Sequence, residues 1–134
     1  MTDKELVEMA KKAMERAYAP YSHYFVGAAL LCCDGSVYTG CNIENASYSV
    51  TCCAERTALF SAVSNGERDF EAIAVVGGKN GNIEGEFPPC GVCRQALSEF
   101  ADEDFRVILY DGEKISSYRL SELLFKGFSG DKLK

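Results

Sequence analysis

The chain has 134 residues, 47% of them apolar and 25% charged, with a formal net charge of −6 and an isoelectric point near 4.8. This length and apolar content predict one globular domain spanning residues 1–134 around one core. The acidic balance disfavours nucleic acid as a partner and suits a small diffusible substrate. The longest apolar run, Phe25 to Cys33, is about half of the roughly 20 residues a membrane helix needs. Met1-Thr2-Asp3-Lys4-Glu5 shows no cationic head before an apolar segment, so no secretory signal is read and a cytoplasmic protein is expected.

Thr2 and Glu5 are spaced as a capping box, and Leu6, Met9, Ala10, Ala13, Met14 and Ala17 fall on one face of the helix that follows. Pro20 ends it, and Tyr18 to Ser22 reads as an ordered aromatic loop in which His23, the single histidine, is a neighbour. Phe25 to Cys33 predicts a buried strand, Asp34-Gly35 a turn, and Val37 to Ile43 the returning strand of a hairpin. A second helix is expected from Cys53 to Val63, stopped by Asn65-Gly66, then a short buried strand from Ala72 to Val76. Gly77 to Asn82 reads as a mobile loop. A third helix from Cys90 to Phe100, a strand from Val107 to Tyr110 closed by Asp111-Gly112, and a short helix over Leu120 to Leu124 complete the chain. Strands separated by helices need crossover connections, so the later strands are expected to pair in parallel beside an antiparallel N-terminal hairpin. The fold class is α/β, a mixed sheet covered by helices.

Seven cysteines, four of them in the adjacent pairs Cys32-Cys33 and Cys52-Cys53, make a disulfide framework awkward. Cys32, Cys33 and Cys41 sit in strand-like runs and are expected to be packing residues. Cys53, Cys90 and Cys93 stand at the heads of two predicted helices, where free N–H groups and the helix dipole favour thiolates. Three protein ligands with the fourth position left to water is the pattern of a zinc site that does chemistry. Glu55 follows Cys53 by two residues, so the pair can act together only if Cys53 sits at the very edge of its helix. Three thiolates leave a zinc site at −1, a charge that Arg56 or Arg94 behind the sulfurs can offset. Cys52 lacks the Ala-Glu that follows Cys53 and is read as a packed thiol beside the site. A structural zinc module would need a fourth ligand, Cys52 or Cys41, and a thioredoxin-like reading of Cys90 to Cys93 lacks a proline beyond Pro89.

Cys53-Ala54-Glu55 followed by Pro89-Cys90-Gly91-Val92-Cys93 is the cysteine form of the zinc nucleobase deaminase signature. With Pro20-Tyr21-Ser22, Val26-Gly27-Ala28-Ala29, Asn42-Ile43-Glu44-Asn45 and Arg94-Gln95, the chain resembles the small homotetrameric cytidine deaminases along nearly its whole length. The resemblance implies one zinc ion per subunit on Cys53, Cys90 and Cys93, with Glu55 as proton shuttle in the conversion of cytidine or deoxycytidine to the uridine product and ammonia, a salvage reaction. It implies that Asn42 and Glu44 read the ribose, that Ala54 gives a backbone contact to the pyrimidine, and that Tyr24 packs on the nucleoside. An aromatic near the C-terminus, Phe128, then enters a neighbouring subunit's site. The chain departs from the pattern at Tyr24, where phenylalanine is usual, and at Phe125, where proline is usual. Relatives acting on a cytosine-containing antibiotic, a free base or a polynucleotide are the alternatives within the same chemistry; Asn42 and Glu44 favour a nucleoside.

Overall fold

The computed structural model describes residues 1–134. Its centre is a five-stranded sheet in the order β2-β1-β3-β4-β5, formed by β1 (Tyr24–Cys32), β2 (Val37–Cys41), β3 (Phe70–Lys79), β4 (Arg106–Tyr110) and β5 (Ile115–Arg119). β1 pairs antiparallel with both β2 and β3, β3 pairs parallel with β4, and β4 pairs antiparallel with β5. The helices are α1 (Asp3–Met14), α2 (Ala54–Ser64), α3 (Gly91–Ser98) and α4 (Leu120–Leu123).

Strand periodicity decides which helix lies where. Successive side chains of a strand point to opposite faces, and along β1 the alternation divides the core in two. Ala28, Leu30 and Cys32 join Ile73, Val75, Val107 and Leu109 against α2 and α3. Ala29 and Leu31 join Ala72, Ala74, Val76 and Ile108 against Leu6, Val7 and Ala10 of α1. Both faces of the central strands are therefore covered, which is why they read as continuous apolar runs. The N-terminus of α1 is capped as expected, with Thr2 Oγ1 accepting from the Glu5 N–H at 3.1 Å.

Several expectations are corrected. β3 extends through the buried Gly77 and Gly78 to Lys79, so half of the expected mobile loop is strand. What remains is a hydrogen-bonded turn: a Cβ on Gly78 would stand 1.7 Å from the Asn82 carbonyl oxygen, and Asn80 and Gly81 take positive φ of 57° and 82°. The parallel expectation holds for β3 and β4, but the chain then reverses at Asp111. The Asp111 carboxylate accepts from the N–H groups of Glu113 and Lys114 at 2.8 and 2.6 Å, Gly112 takes φ 105°, and β5 returns antiparallel along the edge. Cys32 is buried and Cys41 half-buried, whereas Cys33 is exposed at the hairpin turn. No helix is long and apolar enough to cross a membrane.

One close approach places the functional helix. A Cβ on Gly40 in β2 would lie 2.5 Å from Ala58 N and 2.7 Å from Ala54 O, so α2 rests directly on the strand backbone. Gly40→Ala is expected to lower unfolding free energy by about 1–3 kcal/mol through overpacking. Urea titration checks this, and an unchanged midpoint would show that α2 does not need the approach.

Candidate metal centre

Two helix N-termini meet at one point. Cys53 is the N-cap of α2 and Cys90 the N-cap of α3, both in extended backbone with φ/ψ of −71°/155° and −68°/170°. Cys93 lies in the first turn of α3 and is fully buried. Because each N-cap residue stands just outside its helix, its side chain can turn in front of the free N–H groups rather than along the helix flank. This resolves the spacing of Cys53 and Glu55, since only Glu55 is inside the helical repeat.

The sulfurs converge. Sγ of Cys53 lies 3.8 Å from Sγ of Cys90, which lies 3.5 Å from Sγ of Cys93, and all three fall within 4.8 Å of one another. A tetrahedral zinc ion with Zn–S distances of about 2.3 Å requires sulfurs about 3.8 Å apart, so the donor set fits zinc. No fourth cysteine, histidine or carboxylate lies within 4.8 Å of all three. Cys52 stands aside, its sulfur receiving a 3.6 Å hydrogen bond from Thr57 Oγ1 while its backbone pairs with Ile43. The arrangement therefore lacks the fourth protein ligand of a closed structural site.

Electrostatics favour charge on the sulfurs. The hydrogen bond from Cys93, aided by Arg56, pulls the Cys53 thiol down to about 5, against the effect of burial. The neighbouring Cys53 sulfur and burial push the Cys93 thiol up. Arg56 Nη2 approaches Cys53 Sγ at 3.4 Å and Thr51 O at 3.5 Å, and the buried Arg56 Nε has no hydrogen-bond partner. The charge that this cation faces first is that of Cys53, with the Cys93 sulfur beside it. Arg94 behaves differently. Its Nε donates to Pro89 O and its Nη1 to Leu123 O, both at 2.7 Å, so it braces the backbone and leaves the offset of sulfur charge to Arg56.

Glu55 is 4% exposed. Burial raises its carboxyl to about 7, the charge on Cys53 adds to the rise, and Cys93 and Arg56 partly oppose it. A carboxyl poised near neutrality can both take and return a proton at physiological pH. Ala54, the first residue of α2, is fully buried between these groups and Gly40.

The remaining sequence-predicted residues have structural partners of their own. Asn42 is 8% exposed; its Oδ1 accepts from Val26 N–H at 2.9 Å and its Nδ2 donates to Tyr24 O at 2.8 Å. The Glu44 carboxylate accepts from the N–H groups of Tyr21 and Ser22 at 3.0 and 3.1 Å and from the Ser22 hydroxyl. Those bonds, led by the Ser22 hydroxyl, hold Glu44 below the usual carboxylate range. The segment is thus no solvated turn: it zips the aromatic loop Tyr18 to Ser22 against the end of β2. Tyr24 is partly exposed and packs at 6.1 Å between ring centroids on Phe87, a residue the sequence reading did not single out. Glu44 lines one cleft of about 390 Å³, while Tyr24 and Phe87 line another of about 380 Å³. Phe125 and Phe128 are 83% and 57% exposed.

Arg56→Gln, which removes the charge beside Cys53, is expected to reduce zinc retained after dialysis against a competing chelator. Metal analysis by plasma mass spectrometry checks it, and wild-type retention would show that the sulfur charge needs no arginine.

Comparison with known proteins agrees with this site. Residues 1–109 match the family model described as the cytidine and deoxycytidylate deaminase zinc-binding region. A cytidine deaminase of Sporosarcina psychrophila is 48% identical over 134 residues, covering 99% of this chain and 96% of the relative. A blasticidin-S deaminase of Bacillus cereus is 34% identical over 119 residues, covering 86% and 84%. The crystal structure of a cytidine deaminase from Burkholderia pseudomallei superposes with a TM-score of 0.88 at 47% identity, covering 96% of this chain and all of that one. The fold is that of the cytidine deaminases, and this chain belongs to the cytidine and deoxycytidylate deaminase family, in which Cys53, Cys90 and Cys93 form the cluster that fits zinc.

Proposed function

We propose that the protein is a hydrolase that deaminates cytidine and deoxycytidine to uridine and deoxyuridine in cytoplasmic pyrimidine salvage, with one zinc ion per subunit on Cys53, Cys90 and Cys93. The observation that carries the reading is the buried Glu55 carboxyl, raised to about 7, beside a three-sulfur cluster with no fourth protein ligand. A zinc ion held by those sulfurs would supply Lewis acidity that brings water to a pKa of about 7. Glu55 accepts a proton from the water that adds to C4 of cytosine and passes it to ring N3. It then carries the second water proton to the departing amino group, so that ammonia leaves and the C4 carbonyl forms. Its enclosure keeps bulk water from taking over that proton traffic.

The substrate is positioned by residues already tied to the loops around the site. Asn42 and Glu44 are held rigid by the bonds to β1 and to the Tyr18–Ser22 loop, and each retains hydrogen-bonding capacity suited to the two hydroxyls of a ribose. Tyr24 offers a ring face for the nucleoside, and the backbone of Ala54 at the helix head addresses the pyrimidine. Within one chain Glu44 and Tyr24 line separate open clefts, and Phe128 is exposed. Such an arrangement suits a homotetramer in which a neighbour's C-terminal aromatic closes each site.

Glu55→Gln is expected to keep zinc and fold while kcat for cytidine falls by about 10²–10⁴-fold, the usual contribution of a general acid–base group. Absorbance-monitored conversion of cytidine to uridine, with metal content assayed in parallel, provides the measurement. A loss of under tenfold would remove Glu55 from the shuttle role. Preferential turnover of blasticidin S by the wild type would replace the nucleoside reading.

A further inference from the structure

The C-terminal segment is held to the metal helix by very little. Among residues 125–134, the only hydrogen bond to the rest of the chain is the one from Gln95 Nε2 to Phe128 O, at 2.8 Å. One residue earlier on the same helix, the Arg94 guanidinium bridges Pro89 O, immediately before Cys90, and Leu123 O, at the end of α4. Consecutive side chains of α3 thus grip two points of the segment, while a third bond from the same arginine grips the loop that presents Cys90. Packing adds little beyond Leu124, because Phe125 and Phe128 are both largely exposed. Lys126 lies between the two grips with a positive φ of 52°, a conformation that an unrestrained lysine rarely keeps.

We infer that Arg94 and Gln95 form a latch by which the helix bearing Cys93 sets the position of the segment Leu120 to Phe128, and with it the aromatic side chains that segment presents. Both are positioning residues. Arg94 ties the segment's base to the Cys90 loop, and Gln95 ties its far end. Ordering of the first turn of α3 by its two cysteines is thereby transmitted to the tail through rigid helix backbone. The consequence for substrate rests on the function proposed above: an aromatic held at a fixed place can close a neighbouring subunit's site, whereas a loose one pays conformational entropy at each binding event. The latch itself is a property of the chain and is read independently.

Gln95 is exposed, so its replacement spares the core. Gln95→Glu keeps the shape but sets an acceptor against the Phe128 carbonyl, and Gln95→Lys restores a donor of similar reach. In zinc-loaded full-length protein, Gln95→Glu is expected to speed tryptic cleavage after Lys126 at least fivefold, followed by mass spectrometry of the released tail. KM for cytidine should rise about fivefold with kcat within twofold and zinc content unchanged. Gln95→Lys should return both values to wild type. Wild-type cleavage rate in Gln95→Glu would overturn the latch, and faster cleavage with unchanged KM would overturn its role in presenting the aromatic. Faster cleavage of Gln95→Glu in a protein whose wild type turns over no cytidine would support the latch while sinking the proposed function.

Discussion

The structure depends on bringing two helix N-termini face to face across three sulfurs. Thiolates packed 3.5 to 3.8 Å apart repel one another, and burial removes the Cys93 sulfur from water while Cys90 stays exposed. What makes the cluster tenable is the positive end of each helix dipole, the Arg56 guanidinium at 3.4 Å from Cys53, and a dication that the sulfur spacing fits. The same environment sets the state of Glu55. A carboxyl buried beside negative sulfur cannot stay ionised as readily as one in water, so its proton becomes available near neutral pH.

The rest of the fold serves that meeting. A parallel β3–β4 pair requires a crossover, and α3 supplies it with its N-terminus at the end of the sheet where β3 stops. α2 reaches the same end by lying on the bare backbone of Gly40. The antiparallel hairpin of β1 and β2 then delivers Asn42, whose side chain bonds to β1, and Glu44, whose bonds zip the aromatic loop into place. Loops at this end are joined by the backbone bridges of Ile43 to Tyr18 and Cys52 and by side chain to backbone bonds such as those of Glu44, which hold polar groups in position.

Much of this was legible in the sequence because it rests on local rules. Apolar periodicity marked α1 and β1, helix heads marked Cys53 and Cys90, and the Ala-Glu after Cys53 settled which of two adjacent thiols belongs to the cluster. The edge strand β5 was missed although Asp111-Gly112 is the same kind of turn as Asp34-Gly35. Ile115 to Arg119 contains two serines and an arginine and is half open to solvent, so it lacks the hydrophobic signature of a buried strand. Gly77 and Gly78 read as loop in the sequence because glycine signals both freedom and close approach, and only the fold distinguishes them. The division of labour between Arg56 and Arg94 was likewise illegible, since both follow cysteines by short intervals and only geometry sends one to sulfur and the other to carbonyls. Phe87 and Gln95 act through partners distant in sequence, which no local pattern reveals.

The central claim is a metal held by three sulfurs with one coordination position left to solvent. Zinc K-edge X-ray absorption on the metal-loaded protein reads that directly. The account predicts three sulfur scatterers at about 2.3 Å and one oxygen at about 2.0 Å. Four sulfurs, or a first shell without sulfur, would contradict it.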